Sequence, residues 1–126
     1  MPDASTYRGA LEAFDRIVNR GGDADQVLRT IVELLHDLFE HYEWVGISFV
    51  EGETLVLGPW VGKEAMKGPQ MQIPILYEGQ VVGELGVEPD PATAFSAEDR
   101  TFFERVALLI SPYCLVGWDT GGQPWQ

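Results

Sequence analysis

Trp44-Val45-Gly46-Ile47-Ser48-Phe49-Val50, followed by Glu51-Gly52-Glu53 and Thr54-Leu55-Val56-Leu57-Gly58-Pro59-Trp60, is the stretch on which the reading of the chain turns. Its apolar residues alternate instead of recurring at three and four, the period of a half-buried strand. Val45, Ile47 and Phe49 share one face of the first run, and Trp44, Gly46, Ser48 and Val50 share the other. Glu51-Gly52-Glu53 is a turn, and residues 54–60 return beside the first run as a hairpin.

The pattern before this hairpin is helical. Ala10, Leu11, Phe14, Ile17 and Val18 recur at helical spacing over residues 5–20, and Gly21-Gly22 ends the run. A second helix over residues 24–39 follows, with Asp23 or Asp25 placed to cap it and a stripe of Val27, Ile31, Leu34, Leu35, Leu38 and Phe39. After the hairpin, a Gly-, Lys- and Pro-containing loop (residues 61–69) leads to a third strand, 71–77, and a turn at Glu78-Gly79 to a fourth, 80–88. Ser96 with Asp99 three residues on resembles a capping box and opens a third helix carrying Phe102, Phe103, Val106, Ala107, Leu109 and Ile110. Pro112, lacking an N–H, kinks or ends that helix; a short turn over 113–118 follows.

Helix, helix, hairpin, hairpin, helix is an α+β order: a four-stranded antiparallel sheet with helices packed on one face. The expected core joins Val45, Ile47, Phe49, Leu55, Leu57, Ile73, Ile75, Val81 and Leu85 to Phe14, Val27, Ile31, Leu35, Phe102, Val106 and Ile110. The two strands with Pro59 and Pro74 belong near edges or bulges, because proline cannot donate to a ladder. Residues 1–118 are read as one domain and 119–126 as a flexible tail.

The chain has 126 residues, 45% hydrophobic and 22% charged, which suits one globular core. Twenty Asp and Glu against eight Lys and Arg give −12, a field that repels phosphate backbones and anionic lipid. Neither nucleic acid nor a membrane surface is expected as a partner. A small cationic or zwitterionic ligand, or a protein partner, is compatible with this charge. With no basic-then-apolar N-terminal segment, a cytoplasmic setting is the expectation. The lone cysteine, Cys114, excludes an intramolecular disulfide, a Cys-rich zinc site and an attacking-and-resolving thiol pair.

Residues 43–49 with Leu55-Val56-Leu57-Gly58-Pro59-Trp60, then Ile73-Pro74-Ile75, Val82-Gly83-Glu84-Leu85 and Ala94-Phe95-Ser96-Ala97-Glu98-Asp99, resemble the free methionine-(R)-sulfoxide reductases, a GAF subfamily. The resemblance implies a minimal GAF-like fold with strand order 2-1-4-3. It also implies what is missing. The subfamily's long middle segment, which carries most of its redox cysteines, is reduced here to residues 61–70, and Met66 stands where a further cysteine is expected after Lys63-Glu64-Ala65. Of the acidic positions that hold the substrate's amino group, one is Gln70 here, one is Gly86, and one is kept as Glu88.

Reductase chemistry needs one thiolate to attack the sulfoxide and a second thiol to resolve the product. The chain therefore reads as a non-catalytic, regulatory or signalling module without a cofactor or catalytic residue, homodimeric or bound to a protein partner through its open sheet face. The alternative is a reductase using Cys114 with an external thiol. His36 and His41 are five apart, on different helix faces, so helix-end pairs with Glu40 and Asp37 are expected and no metal site. On the face away from the helices, Trp44, Ser48, Trp60, Gln72, Glu84 and Glu88 are the candidate ligand-binding residues. That face can serve as a ligand floor, as a subunit or partner contact, or as a surface covered by residues 61–69 and the tail.

Overall fold

The structure, a computed structural model, describes residues 4–39, 41–62, 71–90 and 95–115. Three helices, α1 (Ala4–Arg20), α2 (Ala24–Leu38) and α3 (Ala97–Ile110), accompany four strands, β1 (Tyr42–Glu51), β2 (Thr54–Gly62), β3 (Met71–Tyr77) and β4 (Gln80–Pro89). The strands pair antiparallel in the order β2-β1-β4-β3, so β1, which carries Trp44–Val50, is a central strand, as expected. Pro59 and Pro74 both fall on the edge strands. The tail, the turn beyond residue 115 and the Lys63–Met66 and Gln70 positions lie outside the described residues.

The helices are punctuated by residues suited to the task. Gly21 and Gly22 take φ of 75° and 122°, ending α1 where a side chain would be strained. α3 opens on the expected capping box: Asp99 N–H donates to Ser96 Oγ at 3.1 Å, and Ser96 N–H donates to Asp99 Oδ2 at 2.9 Å. It ends at Ile110, and a 3₁₀ turn (Ser111–Leu115) runs through Pro112. α2 departs from expectation. Asp23 is at the N-cap without a side-chain bond, and Asp25 pairs with Arg29 at 2.8 Å. Its buried stripe is Val27, Leu28, Ile31, Val32 and Leu35, while Leu38 is 49% exposed.

α2 lies on β1 and β2, α3 on β3, and α1 packs against α3. The core between these layers contains Phe14, Val27, Ile31, Leu35, Val45, Ile47, Phe49, Ile73, Ile75, Leu85, Phe102, Val106 and Ile110, all buried as expected. Three expected core residues are not there: Leu55, Leu57 and Val81 are 49%, 46% and 51% exposed. Bulges are the cause. The β1–β2 register shifts between Gly46 and Ser48, opposite Gly58-Pro59, and the β3–β4 register shifts between Ile75 and Leu76, opposite Val82. An extra residue inverts every face assignment beyond it. Trp60, opposite Gly46, is on the outer face as counted, but Leu57, opposite Ser48, is turned outward as well. Past the second bulge Val81 points out and Val82 joins the core.

Candidate functional site

Ladder partners place the candidate residues on the outer face in ordered rows. Trp60, Gly46, Gly86 and Gln72 stand side by side across β2, β1, β4 and β3, and Leu57, Ser48, Glu84 and Pro74 form the next row toward the hairpin turns. Trp44 and Glu88 are partners on the other side of the first row. Thus Trp44, Ser48, Trp60, Gln72, Glu84 and Glu88 do share one face, and the register divides them into two ends.

The floor of that face is filled. A Cβ placed on Gly46 would fall inside the Trp44 ring, so glycine is present because this indole lies flat over it. Trp44 is 4% exposed and Trp60 41%; their rings stack at 6.3 Å with 20° between planes. Trp60 is therefore the open aromatic surface and Trp44 its support, with Ser48, Glu84 and Glu88 half-buried and Gln72 exposed around them. Gly46→Ala should push the Trp44 ring off its seat, costing about 1–3 kcal/mol by overpacking. It should also remove the Trp44–Trp60 contribution to the near-ultraviolet circular dichroism; an unaltered spectrum would show that the ring does not rest on Gly46.

A polar cluster that the sequence revealed only in part, as the Ser96–Asp99 capping box, lies on the helix side. Asp99 is 1% exposed, yet Tyr42 and Tyr7 donate their hydroxyls to its Oδ1 at 2.5 and 2.8 Å. His41 Nε2 is 3.3 Å from the same oxygen, and Ser96 N–H and Oγ donate to Oδ2 at 2.9 and 3.1 Å. Burial alone would raise the Asp99 carboxyl, but these donors outweigh it and hold the group below its ordinary value. Burial and the neighbouring carboxylate push Tyr7 up to about 12 and Tyr42 upward too. The expected Asp37–His41 pair does not form, because α2 stops at Leu38 and His41 turns toward Asp99. His36 lies 3.7 Å from Asp37; its expected partner Glu40 is outside the described residues.

Cys114 sits in the 3₁₀ turn with 0% exposure, its thiol donating to the Ile110 carbonyl at 3.7 Å and pushed up to about 12 by burial. It belongs to the core cluster with Val106 and Ile110, so the sheet separates it from the Trp60 face. Among the described residues no group of His, Cys, Asp and Glu could hold a metal ion. No helix there is long and apolar enough to cross a membrane.

Solved structures match this arrangement over nearly its whole length. A putative GAF sensor protein from Burkholderia vietnamiensis superposes with a TM-score of 0.78 at 19% identity, covering 90% of this chain and 96% of that one. The GAF domain of an Acinetobacter phosphoenolpyruvate-protein phosphotransferase gives 0.80 at 13%, covering 96% and 98%. The chain has the GAF fold. A free methionine-R-sulfoxide reductase from Neisseria meningitidis, solved in complex with its substrate, gives 0.76 at 16%, covering 95% and 96%. No protein-family model matches the chain, and no curated protein matches it in sequence. GAF-fold neighbours thus include both sensor domains and reductases, and a shared fold does not choose between those roles.

Proposed function

We propose that this GAF-fold chain is a non-catalytic regulatory module that binds through the outer face of its sheet, taking a small zwitterionic or cationic molecule or a protein partner. The observation that carries this reading is the position of Cys114. The only cysteine of the chain is fully buried, its pKa is raised, and it lies across the sheet from the candidate ligand residues. A thiol so placed is neither ionised at neutral pH nor within reach of a sulfoxide on the Trp60 face. The resemblance to the reductases, stripped of their thiols, then points to retained binding without turnover.

At the Trp60 end, an ammonium-bearing ligand would meet the Trp60 ring and the carboxylate of Glu88, with Gln72 supplying a hydrogen bond. Two measurements bear on this. NADPH consumption coupled to thioredoxin, with free methionine-(R)-sulfoxide as substrate, should stay at background; turnover abolished by Cys114→Ser would restore the enzyme reading. Calorimetric titration of methionine and its sulfoxide should show binding weakened about tenfold by Glu88→Gln. Binding undiminished by that substitution would remove Glu88 from the site.

A further inference from the structure

The outer face has a second end, around the hairpin turns, that none of the candidate ligand residues except Ser48 and Glu84 approach. Phe49 pairs with Gly83, so the turn between Glu51 and Thr54 and the turn between Tyr77 and Gln80 lie at the same end of the sheet. Leu55 and Leu57 are exposed on the β2 edge there, and Leu76 and Val81 are exposed on the β3–β4 side. Val81 on β4 is two strand spacings from the β2 pair and Leu76 on β3 three, roughly 14 Å; Val50 is the ladder partner of Leu55, and Ser48 and Glu84 stand one row further from the turns. On the opposite face of the same sheet, one helix, α2, covers β1 and β2. The bulges create this surface: without them Leu55, Leu57 and Val81 would point into the core.

Among the described residues, the charges on this part of the sheet are all of one sign. Glu84 stands in the Ser48 row, and Glu51, Glu53 and Glu78 are exposed at the two hairpin tips. None of the four strands contains a Lys, Arg or His. An apolar row with Glu84 along one side and glutamates at the hairpin tips along the other fits a segment that is apolar on one side and cationic along its flanks. It does not fit a second copy of the same surface. A twofold pairing would set Glu84 and the tip glutamates of one chain against those of the other, with no strand cation to offset them.

We propose that the hairpin end of the outer face docks a basic amphipathic helix of a partner protein, its apolar stripe on Leu55, Leu57, Leu76 and Val81 and its Lys or Arg side chains on Glu84 and the rim. This rests on the reading of the chain as a non-catalytic interaction module and extends it to the partner's chemistry. The roughly 14 Å from Leu55 on β2 to Leu76 on β3 admits about two to three helical turns lying across the strands, with Glu84 on one flank and the glutamates of the hairpin tips on the other. Such a helix would cover the apolar floor that is otherwise exposed to water.

The test uses the full chain and three fluorescent peptides: an 18-residue Leu/Lys amphipathic helix, the same composition scrambled to remove the stripe, and a Leu/Glu version. The Leu/Lys helix should bind saturably with one-to-one stoichiometry, at least tenfold more tightly than the scrambled peptide, and the Leu/Glu peptide should not bind. Leu57→Asp with Leu76→Asp makes the surface more acidic, so attraction to charge alone would be strengthened; docking as proposed should weaken at least tenfold. Glu84→Gln should weaken binding several-fold and reduce its salt dependence, whereas Trp60→Ala should leave it unchanged. Equal affinity for the helix and scrambled peptides, or no loss in the double variant, would overturn the proposal. A concentration-dependent dimer in sedimentation that the double variant dissolves would overturn it in favour of a second copy. Calorimetry with methionine and its sulfoxide probes the other end through Glu88, so failure of the ligand reading is separable from failure of this one.

Discussion

Ile47→Ala should lower the free energy of unfolding by about 2–5 kcal/mol in a reversible urea series, whereas Leu57→Ala, one strand away, should change it by about 0.5 kcal/mol or less. Ile47 is 0% exposed on the central strand β1, between Val45 and Phe49, and its ladder partner is Leu85, also 0% exposed. Truncating it opens a cavity between the sheet and α2 that surrounding side chains cannot refill without leaving their rotamers. Leu57 has the same hydrophobicity and was equally eligible for the core by alternation, yet it is 46% exposed. The pair therefore tests the bulge at Gly58-Pro59 directly. A loss below about 1 kcal/mol for Ile47→Ala, or a large loss for Leu57→Ala, would mean that the faces of β1 and β2 are reversed.

The contrast between these two residues also shows how far the sequence could be read. Alternation placed Val45, Ile47, Phe49, Ile73, Ile75 and Leu85 correctly, because no residue is inserted between them and the strand centres from which the faces were counted. It failed at Leu55, Leu57 and Val81, each beyond a bulge. Pro59 was visible as the mark of an edge or bulge, and a Cβ on Gly58 would collide with the Phe49 ring, which is why the chain needs glycine there. Neither residue announces by itself that one position is unpaired. Strand order was legible for a different reason: prolines marked β2 and β3 as edges, and the resemblance supplied the rest.

Alternation put the six outer-face residues on one face, where the ladder also has them, but their surroundings within it depended on contacts. Alternation placed Gly46 on the outer face, and only the contacts show it to be the seat of Trp44. The Asp99 cluster was half visible, as a capping box. Its remaining partners come from α1 and from the start of β1, 92 and 57 residues away, and nothing in local spacing connects them.

Asp99→Ala should destabilise the protein by about 3–5 kcal/mol, comparable to losing a core side chain. The substitution removes the carboxylate half of the α3 capping box, keeping the bond from the backbone N–H at 99 to Ser96 Oγ, and leaves the Tyr7 and Tyr42 hydroxyls without the acceptor that binds them at 2.8 and 2.5 Å. Because Tyr7 belongs to α1, Tyr42 to β1 and Asp99 to α3, the loss should also loosen α1, seen as faster amide exchange over residues 5–20 than in the wild type. The pH dependence follows from the direction of each shift. Asp99 is lowered from 3.8, so its contribution is complete above pH 3.8 and is lost as the pH falls below that value toward the folded-state pKa. Tyr7 is raised from 10.0 to about 12, so its contribution is present below pH 10 and is lost as the pH climbs toward 12. Tyr42, raised in the same sense, should steepen that alkaline loss. Asp99→Asn keeps the side-chain shape but removes the ionised acceptor, so it should be less stable at neutral pH and show a smaller decline below pH 3.8. Tyr42→Phe should flatten the alkaline limb instead. If stability curves of the wild type and Asp99→Asn run parallel from pH 6 to pH 2, then Asp99 is not the carboxylate that joins the two terminal helices to the sheet.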